Sequence, residues 1–307
     1  TRMGRRAPSS AARLGPATSM HNAKHSSADH AAGPVIRARQ LSREVIGPQG
    51  AIRILDDINF SLNARERVAI TGVSGSGKST LLGLLLGVAD RTKGRIEVDG
   101  MELDALVGHQ LRRTIAWVDP SVQLWNTSVL SNLIYGAEPD VAVAKLGTTI
   151  FRADLREVLE ALPVGMQTVV GQSGAQVSGG EGQRIRIGRA MLREDARLVL
   201  LDEPFRGLDR ARRSSMLERC RALWRGSTLL CVTHDVTEAL AFSRVLVVED
   251  GRIVEDGSPH ELSLRSGSVL ARLLRAEQHV RDEIWSDRRW RRIEVANATV
   301  DEQEPSP

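Results

Sequence analysis

Arg-Val-Ala-Ile-Thr at residues 67–71 runs directly into Gly72-Val73-Ser74-Gly75-Ser76-Gly77-Lys78-Ser79 and then into the apolar run Thr80-Leu81-Leu82-Gly83-Leu84-Leu85-Leu86-Gly87. The first five residues read as a buried strand, the middle eight as a glycine-rich turn, and the last eight as a helix packed on its apolar face. The spacing of Gly72, Gly77, Lys78 and Ser79 matches the phosphate-binding loop pattern. The chemistry requires those residue types. Gly72, Gly75 and Gly77 permit backbone conformations in which successive N–H groups point inward at phosphate oxygens. A helix beginning near Lys78 adds the positive end of its dipole. Lys78 reaches the outer phosphates, and the Ser79 hydroxyl is placed to ligate Mg²⁺, with Ser74, Ser76 and Thr80 completing the contacts.

Further along, Leu198-Val199-Leu200-Leu201-Asp202-Glu203 reads as a buried strand ending in two acids. Asp202, at the strand end, suits a Mg²⁺ ligand, and Glu203 suits a base that polarises an attacking water. Other β-type runs are Arg53–Leu62, Arg95–Gly100, Thr228–Thr233 and Arg244–Gly257, the last predicted to turn at Asp250-Gly251. Residues 140–196 are mostly helical in pattern, broken by a Gly-rich stretch at 171–182. Strands alternating with helices imply an α/β protein with a largely parallel sheet covered on both faces. Residues 269–284 carry Leu270, Leu273, Leu274, Val280 and Ile284 at amphipathic helical spacing.

The 307 residues are 41% hydrophobic and 26% charged, which excludes bulk disorder and a collagen-like chain. The longest near-continuous apolar run, residues 80–89, is half of the roughly 20 residues needed to span a bilayer. No secretory signal is expected, because the first thirty residues lack an apolar core. The net charge of +4 is misleading: residues 1–33 carry five basic residues and one acid, leaving 37 of each sign in the rest. A neutral body gives no footprint for nucleic acid. Residues 1–33 read as a disordered leader or linker, and His21, His25 and His30 within it as unliganded. Cys220 and Cys231 have neither disulfide-framework nor metal-ligand spacing and fit a reducing compartment.

From about residue 35 to 265 the chain resembles the nucleotide-binding domain of an ATP-binding cassette (ABC) transporter. The most specific stretch is Val177-Ser178-Gly179-Gly180-Glu181-Gly182-Gln183-Arg184, similar to the family's signature motif. Leu208-Asp209 resembles the loop that contacts a partner cassette, and Thr233-His234-Asp235 the switch histidine. The resemblance implies a P-loop NTPase cassette: a RecA-like core with a mostly parallel sheet, an antiparallel β subdomain and an inserted helical subdomain at about 120–185. It implies a domain over 34–265, followed by a helical tail over 266–307. It also implies ATP and Mg²⁺ as cofactors, with Lys78, Glu203 and His234 catalytic and Ser79 and Asp202 on the metal. Two cassettes would pair head to tail, so that Ser178, Gly179, Gly180 and Asp209 reach the ATP held by the other copy.

Leu162–Gly171, Asn132–Gly136 and Gly251–Gly257 resemble the exporter branch. That implies a transmembrane domain as partner, upstream in one polypeptide or as a separate subunit, and a place on the cytoplasmic face of the membrane. A first residue of Thr1 and a basic leader fit a cassette excised from a half-transporter, whereas Met3 or Met20 near the start fits a separate subunit. A soluble non-transport ATPase and a weakly hydrolysing regulatory sensor are the alternative readings. Three positions depart from the family pattern. Val45 stands where an aromatic residue stacks on adenine, beside Arg43 and Glu44. Pro120, which has no side-chain ligand, stands where a glutamine ligates Mg²⁺, with Gln123 or Asp119 a substitute if the loop shifts. Glu181 replaces the usual signature glutamine.

Overall fold

The computed structural model describes residues 35–48, 50–119, 123–137, 139–286, 292–296 and 299–303. The leader with His21, His25 and His30, and Pro120, lie outside the described residues.

Strands β1 (Ile36–Gly47) and β2 (Gly50–Leu62) pair antiparallel, with register shifts around Leu41 and a left-handed Gln40 at φ 49°. This bulge breaks the alternation that begins at Ile36 and Ala38 and explains why β1 carries little strand signal. Next come β3 (Arg67–Thr71) and α1 (Lys78–Leu85). β4 (Lys93–Val98) and β5 (Met101–Glu102) turn through Asp99 and Gly100 and complete an antiparallel sheet ordered β2-β1-β4-β5. α2 (Ala105–Thr114), capped by Asp104, leads to β6 (Ala116–Val118). Four helices follow: α3 (Val129–Ile134), α4 (Pro139–Arg152), α5 (Arg156–Ala161) and α6 (Gly179–Met191). β7 (Leu198–Asp202), α7 (Arg210–Leu223), β8 (Thr228–Val232) and α8 (Val236–Ala239) rebuild the α/β alternation. β9 (Arg244–Glu249) and β10 (Arg252–Gly257) form the hairpin around left-handed Asp250 and Gly251.

The main sheet is ordered β10-β9-β3-β8-β7-β6, parallel everywhere except at the β10–β9 hairpin. Its inner strands β3, β7, β8 and β9 are near-continuous apolar runs, because a two-residue repeat sends alternate side chains to opposite faces and both faces are covered. Val199, Leu201, Leu229, Cys231, Val245 and Val247 enter one hydrophobic cluster with the helices. Leu198, Leu200, Leu230, Val232, Leu246 and Val248 enter the other, with α1 and the antiparallel sheet. β7 and β8 are buried along their whole length.

After α9 (Pro259–Leu264), α10 (Val269–Ser286) carries Leu270 and Leu274 into the core. The expectation of a helical tail to residue 307 needs correction. The helix ends at Ser286, and β11 (Arg292–Ala296) pairs antiparallel with β12 (Thr299–Gln303). Ile293, Val295, Thr299 and Val300 are β-branched, and their branching favours an extended ladder over a helix.

Candidate nucleotide site

Parallel strands share one C-terminal edge, so the loops after β3, β6, β7 and β8 converge there, the usual place for a ligand in an open α/β sheet. The loop after β3 is the Gly72–Ser79 stretch. Gly72 has φ 145°, and a Cβ there would stand 2.0 Å from the Val248 carbonyl oxygen. No side chain fits. Gly77, with φ 99°, caps α1, so the turn enters the helix through left-handed backbone. Ser74 and Gly75 are exposed at the loop tip, and Ser76 is buried beneath it.

Lys78 is buried, and its Nζ donates to the carbonyls of Gly72 (2.9 Å) and Val73 (2.8 Å) and to Ser76 Oγ (3.3 Å). Burial lowers its pKa, opposed by the negative charges of Glu203 and Asp202. The ammonium is thus fixed by its own loop and faced by two acids, a cation held ready for anionic oxygens.

Asp202 ends β7 and is 5% exposed. Burial pushes its carboxyl up to about 6, helped by the charges of Asp119 and Glu203 and opposed by a hydrogen bond with Ser79 and by Lys78. Its Oδ1 is buried without a hydrogen-bond partner. A carboxylate oxygen in that state beside a serine hydroxyl is a hard-oxygen donor set that suits Mg²⁺.

Glu203 follows with φ 40°, an uncommon left-handed conformation for a residue with a side chain. Its N–H donates to Val232 O at 2.9 Å, tying it to the end of β8. Two residues beyond β8, His234 Nδ1 lies 3.4 Å from Glu203 Oε1. Arg206 approaches the other carboxylate oxygen at 3.9 Å. Thr233 donates its hydroxyl to Glu238 Oε2 at 2.7 Å, and Asp235 caps α8, so the backbone either side of His234 is fixed.

A cleft of about 470 Å³ joins Ser79, Thr80 and Asp202 to Asp119 after β6 and to Arg43, Val45 and Ile54 on the β1–β2 ladder. Val45 therefore does face the region of the phosphate loop, and among the described lining residues Trp117 is the one aromatic.

Ser178, Gly179, Gly180 and Asp209 do not line that cleft. Ser178 caps α6, accepting from Glu181 N at 3.3 Å, while Glu181 Oε2 accepts from Ser178 N at 2.8 Å. This is a capping box, in which glutamate serves as well as glutamine, so the Glu181 departure has a local explanation. Gly180 abuts the loop before Asp209: a Cβ there would stand 2.7 Å from Gly207 O. Asp209 caps α7, accepting from Arg212 N at 2.9 Å, and that bond holds its carboxyl below the usual range.

Two residues not singled out from sequence connect the groups. Gln183 on α6 is buried and donates to Pro204 O (2.8 Å) and Glu203 O (3.4 Å). Arg213 on α7 donates to Leu208 O (2.7 Å) and Asp235 Oδ2 (3.2 Å), joining the loop before Asp209 to the loop of His234. Gln183 lies within the signature stretch, a signal that could have marked it; Arg213 stands in an Arg-rich helix with nothing to distinguish it.

Residues 55–206 match the family model described as ABC transporter. The chain is 37% identical over 243 residues to an ATP-dependent lipid A-core flippase of Alkalilimnicola ehrlichii, covering 78% of this chain and 41% of that protein. It is 33% identical over 236 residues to the ABC transporter ATM1 of Toxoplasma gondii, covering 77% of this chain and 21% of the relative. A bacterial Atm1-family ABC exporter with ATP bound superposes with a TM-score of 0.72 at 29% identity, covering 80% of this chain and 42% of that one. The chain thus spans less than half the length of these relatives.

Proposed function

The chain belongs to the ABC transporter family, and we propose that it is the ATP-binding and hydrolysing part of an exporter. One observation carries the hydrolytic reading: His234 pairs with Glu203 at the same sheet edge that holds Lys78, Ser79 and Asp202. In this reading the glycine-loop N–H groups and Lys78 bind the phosphates, and Ser79 and Asp202 would hold Mg²⁺, which would supply positive charge against that developing on the phosphate oxygens. Glu203 orients a water in line with the γ-phosphorus and takes its proton as the new P–O bond forms and the bond to the ADP oxygen breaks. His234 fixes the Glu203 carboxylate through the 3.4 Å contact. Catalysis is mainly positioning and charge stabilisation.

Ser178, Gly179, Gly180 and Asp209 form a second polar group outside the cleft. They are assigned to the ATP held by a second cassette, identical or different, in a head-to-tail pair. The serine hydroxyl and the first N–H groups of the 13-residue α6 suit an anion there. Among the described residues no helix is long and apolar enough to cross a membrane. Coupling is therefore assigned to a transmembrane domain, in the same polypeptide or a separate subunit, with the cassette on the cytoplasmic face. The neutral body argues against a nucleic-acid partner.

The test is Mg-ATP turnover by the purified chain beside E203Q, with gel filtration of both in ATP. Turnover by the wild type alone, with the variant trapped as a dimer, is the expected result. ATP binding by both without turnover or pairing in either would overturn the hydrolytic reading for this chain.

A further inference from the structure

We propose that Glu277, on helix α10, is a positioning residue for His234. The inference deepens the hydrolytic reading and rests on it for the role of the histidine. The His234 side chain is 53% exposed. Packing therefore does little to fix its ring, and its aim at Glu203 depends on the backbone that carries it. Two residues on, the N–H of Val236 opens α8 and donates to Glu277 Oε2 at 3.2 Å. The next two N–H groups of that turn, on Thr237 and Glu238, donate to Asp235 Oδ1 at 3.0 and 3.3 Å. Asp235 and Glu238 in turn face Arg213 at 3.2 and 3.9 Å. Of these three turn bonds, two stay within the loop and its own short helix. The bond to Glu277 ties the histidine loop to a different element of the fold.

That element is itself anchored. Glu255 on β10 accepts from the N–H groups of Val269 (2.7 Å) and Leu270 (3.0 Å) and from the Ser268 hydroxyl (3.0 Å), and Arg272 pairs with Glu249 on β9. Leu270 and Leu274 share one buried cluster with Val236, Ala239 and Phe242, and Leu273 packs against it. Apolar packing thus sets the register of α10 against α8. Leu270, Leu273, Leu274 and Glu277 stand at i, i+3, i+4 and i+7, along one face of the helix. A carboxylate occupies the place on that stripe where another leucine would serve packing. There it meets a backbone donor of the histidine loop, and a hydrogen bond to a charged acceptor is stronger than one to a neutral group. The sheet, through α10 and Glu277, holds the backbone that aims His234.

The test compares the full chain with E277L and E277Q, each checked by thermal melting. E277L extends the apolar stripe and removes the acceptor. It is expected to melt close to the wild type yet hydrolyse Mg-ATP about tenfold more slowly, with KM within twofold. E277Q, whose amide oxygen still accepts, is expected to keep kcat within about threefold of the wild type. In the nucleotide-free chain, exchange of the Val236 amide followed by NMR is expected to be about tenfold faster in E277L than in the wild type or E277Q. A folded E277L with wild-type kcat, an equal loss of kcat in E277Q, or wild-type exchange at Val236 in E277L overturns the proposal. If E277L does not fold, E277A is judged by the same criteria. A failed hydrolytic reading is seen separately, as a wild type that turns over no ATP, and amide exchange then still decides whether Glu277 holds the loop.

Discussion

Replacing Asp202 by asparagine should stabilise the nucleotide-free chain while removing metal-dependent turnover. Asp202 is buried, and its carboxyl titrates near 6 in the folded chain against 3.8 when unperturbed. Between those values the folded chain holds a proton that the unfolded chain has already released, so stability falls as pH rises. Above about pH 6 the penalty is complete, and below about 3.8 it is absent. At 1.36 kcal/mol per pH unit the difference is at most about 3 kcal/mol at pH 7.5 and about 1 kcal/mol at pH 4.5. Asparagine keeps an acceptor for the Ser79 hydroxyl but has no charge to bury. D202N should therefore melt about 6–10 °C above the wild type at pH 7.5 in EDTA, with a smaller margin at pH 4.5. Calorimetry and urea titrations at the two pH values measure both quantities. Adding Mg²⁺ and ATP should narrow the gap, because only the wild type gains full stabilisation from them. A D202N chain less stable than the wild type at pH 7.5, or an advantage that is the same at both pH values, would refute the reasoning.

Four other substitutions test separate parts of the structure. G72A should unfold the chain or distort the phosphate loop, since the methyl would stand 2.0 Å from Val248 O; loss of ATP binding together with a lowered melting temperature checks it. E181Q should hold the capping box and change stability by less than about 0.5 kcal/mol, while S178A should lose about 1 kcal/mol, both read by urea denaturation. V45Y should tighten ATP binding by roughly two- to tenfold if its ring stacks on the base from the cleft wall, an effect of about 0.5–1.5 kcal/mol measurable by titration calorimetry. Unchanged affinity would mean that position 45 does not meet the base.

Much of the site was legible in the sequence because its devices are local. The Gly72–Ser79 turn works through the backbone freedom of its own glycines and the helix it opens. The cap on α6 is a contact between residues three apart, Ser178 and Glu181. The hairpin at Asp250-Gly251 depends on two left-handed residues in succession. Each such feature is fixed by side chains within a turn of one another, so the one-dimensional pattern contains it. The strand-rich end of the tail was the local feature misread, its β-branched residues outweighed by the amphipathic helix before it.

Relations set by sheet order were beyond that reach. Nothing near Gly72 announces that the Val248 carbonyl will close on it, because β9 becomes a neighbour of β3 only when the sheet assembles. Asp119 and Asp202 are 83 positions apart and line one cleft because they follow or end the parallel neighbours β6 and β7. Burial then moves the Asp202 carboxyl, an effect of the surrounding low dielectric that no spacing of letters encodes. The sequence alone thus determined which groups are available for phosphate and metal chemistry. The tertiary structure decided which of them share a cleft, which lie outside its lining, and how strongly burial acts on each charge, since these depend on distance and solvent exclusion between segments remote in the chain.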